Sequence, residues 1–245
     1  MARVSSLFDS AVAFIGVTDD GEAAGNLIDA LEGRKGAILV NVAPRHGNAK
    51  KWKNGSPFGY FWHGETLVVG TIDDITFSLV KKLGLAASLR IIDTARAIEE
   101  LVKSGLAVEH SKHYIAETQF RSYDFLPRIA AYLLAHHDLP GDICSIDKIP
   151  DMLPMVWWVD NFGNCKTTLL LREIDFTQGK TIETLWGALP YIARLKDVPD
   201  QASACIRGSS GVGENRFLEI VVQGGSAAER FAIKSGDHIF NLEKP

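Results

Sequence analysis

The sequence predicts an α/β N-terminal domain with a mostly parallel sheet, followed by a small all-β, barrel-like C-terminal domain. Two patterns lead there. Through the first half, β-rich runs alternate with helical periodicities, the pattern of helices packed on the faces of a sheet. Beyond residue 150, short strands take over, separated by turns rich in Gly, Asn and Ser. Between the two lies a stretch over residues 138–154 with three prolines, Gly141 and several aspartates, which reads as a linker. The domains are therefore expected at residues 1–150 and 151–245.

Each element follows from local signals. Residues 12–17, VAFIGV, read as a buried strand, and Ala23, Ala24, Leu27, Ile28 and Leu31 recur at helical spacing. Residues 37–42 are a second strand, followed by a polar loop over 44–56. Residues 58–62 and 66–70 make a hairpin around His63-Gly64-Glu65. Helices follow over 75–83 and 94–104, the second with cap chemistry from Asp93 and Thr94 and a stop at Gly105. Residues 125–136 form another amphipathic helix, with Pro127 acceptable in its first turn. In the C-terminal part the strands are 155–160, 165–171, 204–207, 217–223 and 238–242.

Composition excludes several classes of function. Of 245 residues, 46% are hydrophobic and 23% charged, the balance of an ordinary globular protein. The net charge of −4 is spread along the chain, so no nucleic-acid partner is expected; Lys50, Lys51 and Lys53, interrupted by Trp52, read as a solvated loop. No run has signal-peptide character or the roughly 20 apolar residues of a membrane span, so no membrane partner is expected. Cys144, Cys165 and Cys205 are odd in number and lack CxxC spacing. They read as free thiols of a cytoplasmic protein, with neither a disulfide framework nor a zinc site. His110 and His113 could share a helix face as metal ligands, but AVEHSKHYIAE alternates like a strand, which turns them to opposite sides. No metal is expected. Ser209-Ser210-Gly211-Val212-Gly213 lacks the Lys-Ser/Thr of a phosphate loop.

Two segments carry chemistry. In Val159-Asp160-Asn161-Phe162-Gly163-Asn164-Cys165-Lys166-Thr167-Thr168, a strand runs into a turn with an acid, an amide and a glycine. In Gln223-Gly224-Gly225-Ser226-Ala227-Ala228, a glycine-rich connection leaves backbone N–H groups free for a ligand edge. On spacing alone, each is also an ordinary hairpin or strand-to-helix connection. Together, hydrophobic–Asp–x–Phe–Gly–Asn–x–x–Thr and the later Leu-Glu-Ile–x–x–x–Gly-Gly–x–Ala-Ala resemble the C-terminal domain of the S-adenosylmethionine hydroxide adenosyltransferase, chlorinase and fluorinase family. Weaker N-terminal matches are Phe120-Arg121-Ser122-Tyr123-Asp124, Val42-Ala43-Pro44-Arg45-His46-Gly47 and Ile72-Asp73-Asp74.

The resemblance implies a homotrimer with sites between subunits, and cleavage of S-adenosylmethionine at C5′ with displacement of methionine. S-adenosylmethionine enters as substrate or ligand, and no further cofactor is implied. By position, Asp160 would bind the methionine ammonium through a charge-assisted hydrogen bond. Asn164 and the backbone near Gly224 would hold adenine, and Phe120 would pack beside the reacting carbon. Ser122 stands at a halide-binding position, Asp73 in a segment the family also uses, and Asn215 at the strand start that meets the methionine carboxylate. The family's water-positioning Asp, Arg and His fall on Ala43, Lys50 and Arg121. Lys50 and Arg121, with Ser122, are the candidate catalytic residues. Arg121 cannot serve as a base near neutral pH, Lys50 lacks the guanidinium fork, and the ribose-gripping Asp of the family's first strand has no counterpart. Three readings stay open: an enzyme acting at C5′, a catalytically inactive binding protein, and an enzyme on another small molecule through Lys50, Arg121 and Asp73.

Overall fold

The computed structural model describes residues 2–31, 35–42, 55–118, 120–174 and 179–240. The chain divides into two compact units. One comprises Met1–Ala23 and Gly33–Pro150, and the other Ala24–Glu32 and Asp151–Pro245.

The first unit runs α1 (Ala2–Leu7), the start of α2 (Asp20–Ala30), β1 (Gly36–Val40), β2 (Phe58–His63), β3 (Thr66–Thr71), α3 (Ser78–Lys82), β4 (Ser88–Ile92), α4 (Thr94–Lys103), α5 (Lys112–Glu117), α6 (Arg121–Asp124), α7 (Leu126–His136) and β5 (Gly141–Ser145). Its sheet has the order β1-β3-β2-β4-β5. Strand β3 lies inside it with all six residues buried, so Leu67, Val68 and Val69 each contribute about 1.5–3 kcal/mol of apolar burial. One face packs Phe58, Tyr60, Leu67 and Val69 against Ala97, Ile98 and Leu101 of α4 and Ile129, Ala130 and Leu133 of α7. Asp93 caps α4 by accepting from the N–H groups of Ala95 and Arg96, both at 3.1 Å.

The sheet is not mostly parallel. Among its described strands only β1 and β3 run parallel, while β3–β2, β2–β4 and β4–β5 are antiparallel. Its centre is the hairpin around His63-Gly64-Glu65, with Gly64 at φ 57°, and a tight hairpin joins only antiparallel strands. Residues 12–17 form no strand. Phe14 and Ile15 are 47% and 57% exposed, so this apolar run has the composition of a buried strand without a ladder partner. The 138–154 stretch is not a bare linker either, since it holds β5, paired with β4 from Ser88↔Ser145 to Ile92↔Gly141. Pro140 and Pro150 lie outside that ladder, where a missing N–H is harmless. Residues 109–117 are helical instead of extended. His110 and His113 are not buried, and among the described residues no group of His, Cys, Asp and Glu is arranged to hold a metal.

The second unit contains β6 (Val156–Val159), β7 (Cys165–Leu170), β8 (Thr181–Thr184), β9 (Gly187–Pro190), β10 (Ser203–Val212), β11 (Asn215–Val222) and α8 (Ala227–Phe231), together with the later part of α2. Its antiparallel sheet has the order β10-β11-β7-β6, beside a separate β8–β9 hairpin. Among the described residues it does not close into a barrel. The strand expected over 238–242 amounts to one bridge, Met155↔His238, with residues 241–242 outside the described set. The core gathers Val156, Cys165, Leu169, Leu218, Ile220 and Ile239. No described helix is long and apolar enough to cross a membrane.

Candidate functional site

In the second unit, the turn between β6 and β7 is built around Asp160. Its Oδ1 accepts from the N–H groups of Phe162 and Asn164, both at 2.9 Å, and its Oδ2 accepts from Asn164 Nδ2 at 3.0 Å. A carboxylate offers about four acceptor positions, so one remains for a ligand. Phe162 projects from the tip, 79% exposed. Gly163 has φ 78°, and a Cβ there would overlap the Ser226 hydroxyl. This close approach joins the turn to the Gly224–Ser226 connection, because Ala228 N–H donates to Gly163 C=O at 2.9 Å. Gly224, at φ 71°, is held by a 3.4 Å bond from Gln201 Nε2 to its carbonyl. The two motifs singled out in the sequence thus form one surface. Asn215 opens β11 and accepts from Arg172 Nη1, which occupies its side-chain oxygen.

In the first unit, Ser56 connects two of the candidates. Its hydroxyl donates to Asp73 Oδ2 at 2.6 Å, and its carbonyl accepts from Arg121 Nη2. The Arg121 guanidinium also lies over the Phe58 ring, 4.8 Å from its centroid, and partial burial draws its pKa down. Gly55, at φ 71°, comes so close that a Cβ there would be 3.1 Å from Nη2. Asp73 also acts, with Asp74 and Asp19, on Asp20 of the same unit. Asp20 is pushed up to about 6, first by burial and then by Asp74, Asp73 and Asp19. Phe120 and Ser122 flank Arg121 and are exposed, Phe120 at 59%. Lys50 and Ala43 lie outside the described residues.

Residues 155–240, the segment that includes both the Asp160 turn and the Gly224 connection, match the model of the SAM hydroxide adenosyltransferase C-terminal domain. That match falls within the second unit. The whole chain has the fold of an uncharacterized conserved protein from Thermotoga maritima, with TM-score 0.65 and 18% identity over 96% of this chain and 91% of that one. It is also similar to a conserved hypothetical protein from Thermus thermophilus, with TM-score 0.55 and 22% identity over 89% of this chain and 80% of that one. No curated protein matches the chain.

Ser56 and Asp20 have no motif to announce them, and neither does a network at the sheet of the second unit. There, Lys166 Nζ donates to Ser210 Oγ at 2.6 Å, Ser210 donates to Asp29 Oδ2 at 2.8 Å, and Gly211 N–H donates to Asp29 Oδ1 at 2.8 Å. Ser210 is buried, which makes this cluster a support for the domain and not a reacting centre. A hollow of about 320 Å³ in the first unit is lined by Tyr60, Trp62, Ser88, Arg90, His137 and Asp138, and contains none of the candidates. Several of its polar groups engage one another: Tyr60 donates to Asp138 at 2.7 Å, Arg90 pairs with Asp138 at 3.2 Å, and Trp62 donates to the His137 carbonyl at 3.3 Å.

Proposed function

We propose that the chain is a diverged S-adenosylmethionine-binding protein. The supporting observation is the single surface made by the Asp160–Asn164 turn and the Gly224–Ser226 connection, within the segment that matches the adenosyltransferase C-terminal domain. In this reading the remaining acceptor position of Asp160 takes the methionine ammonium, and Asn164 with the backbone at Gly224 takes the adenine edge. The assembly that goes with it is a homotrimer, read by light scattering on a sizing column.

Position 121 favours binding without base-assisted hydrolysis. A guanidinium cannot take a proton from water near neutral pH, and general-base assistance is typically worth about 10²- to 10⁴-fold in rate. The alternative reading, C5′ displacement to give adenosine or a 5′-substituted adenosine, then requires a nucleophile that arrives already anionic. Ser122 and Phe120, exposed beside Arg121, are the residues it would use.

Calorimetry with S-adenosylmethionine and with adenosine tests binding, and chromatography after incubation with water, chloride or fluoride tests turnover. In Asp160→Asn, the amide oxygen can still accept from the Phe162 and Asn164 N–H groups, and the Asn164 amide turns over to accept from the new Nδ2, so the turn persists while the charge is lost. Affinity for S-adenosylmethionine is expected to fall at least about tenfold, the scale of one charge-assisted hydrogen bond, and by more than the affinity for adenosine. An undiminished affinity for S-adenosylmethionine removes Asp160 from the site.

A further inference from the structure

Arg121 is a cation whose charge no described residue pairs. Among the described residues it enters no ion pair, and its hydrogen bonding is confined to one donation from Nη2 to the Ser56 carbonyl. The sequence that leads into Gly55, residues 43–54, contains no Asp or Glu, but does contain Arg45, Lys50, Lys51 and Lys53. A half-buried guanidinium has lost part of its hydration, and four of its five N–H donors stay without an acceptor among the described residues. The Phe58 ring beneath the guanidinium, and Gly55, where an added Cβ would come within 3.1 Å of Nη2, restrict its orientation. Next to it, the exposed Ser122 hydroxyl makes no hydrogen bond among the described residues.

We propose that Arg121 anchors a binding site for a small carboxylate, with the planar fork gripping the two oxygens and Ser122 Oγ donating alongside. A planar two-oxygen anion matches the guanidinium geometry. Charge favours a monoanion: the Asp73 carboxylate is tied to the same Ser56 whose carbonyl Arg121 grips, and this negative flank disfavours a phosphate dianion. The site belongs to the first unit alone and does not depend on the reading of the Asp160 turn, so either can fail without the other.

The test is an amide NMR titration of the full-length protein without S-adenosylmethionine, exchanging sodium chloride for sodium acetate at constant ionic strength. Saturable shifts are expected at the amides of Ser56, Arg121 and Ser122. Arg121→Gln should weaken them about tenfold or more, and Arg121→Lys, which keeps the charge but loses the fork, by less. No saturable shift in the natural protein overturns the site, as does equal acetate affinity in Arg121→Gln. Phosphate binding as tightly as acetate overturns the choice of a monoanion. If Arg121→Gln does not fold, the comparison rests on Arg121→Lys, where affinity equal to the natural protein overturns the fork.

Discussion

At the residue scale, the least comfortable group is Asp20. Burial and three neighbouring carboxyls raise its pKa to about 6, so the folded protein holds this proton more tightly than the unfolded chain does. The stability that proton contributes is fully present below the ordinary aspartate value of 3.8 and is lost as pH rises through about 6. A dry site would convert this shift into nearly 3 kcal/mol, but the half-exposed carboxyl is screened, which leaves about 1 kcal/mol. Asp20→Asn is therefore expected to be more stable than the natural protein by about 1 kcal/mol near pH 7.5, with the gap closing towards pH 4. Urea unfolding at the two pH values reads this directly, and equal stabilities near pH 7.5 would show that neither burial nor the neighbouring carboxyls burden the Asp20 charge. The span of a hydrogen bond along the chain decides where a sequence stops being legible. Asp160 and Asn164 can be placed because their bonds span four residues. Ser56 reaches Asp73 across 17 positions and Arg121 across 65, and no local pattern announces such a junction.

At the element scale, legibility follows capping and periodicity. Helix α4 lies where Asp93 and Gly105 place it, and the β2–β3 hairpin where the His63-Gly64-Glu65 turn does. VAFIGV misleads because an apolar run states a preference for burial without naming a partner strand. SLRII escapes recognition between two helices because five residues carry little periodicity. Helix α2 is readable from its apolar spacing, yet Gly25 in its interior has no sequence explanation. The structure supplies one: a Cβ at this position would overlap the Trp157 ring, which is 1% exposed. Two effects compete in Gly25→Ala. Helix propensity favours alanine by about 1 kcal/mol, whereas overpacking a tight contact costs about 1–3 kcal/mol. The clash falls on an aromatic ring enclosed by core, so the clash wins. A net loss of about 1–2 kcal/mol is expected by urea unfolding, and a gain in stability would mean that the helix and Trp157 are not in contact.

At the scale of the whole molecule, the second unit is discontinuous in sequence, and nothing in the sequence announces it. The composition change near residue 150 reads as a simple boundary, yet residues 24–32 group with residues 151–245. Asp29 accepts from Ser210 and Gly211 across 181 and 182 positions, and Gly25 seats Trp157. A fragment starting at residue 151 would leave Ser210 without its acceptor, at a cost of about 1–3 kcal/mol, and uncover Trp157, at a cost of about 2–3 kcal/mol. Against the roughly 5–15 kcal/mol that holds a typical domain, and less for one this small, those losses make the fragment marginal. Expressed alone, residues 151–245 should show a broadened urea transition at a lower midpoint and red-shifted tryptophan emission. Fusing residues 20–32 to the fragment through a flexible glycine-serine linker should restore both, since it returns Gly25 and Asp29 to their partners. A fragment that unfolds cooperatively at the midpoint of the full chain, with its tryptophan emission already blue, would mean that α2 contributes nothing to the core it packs against.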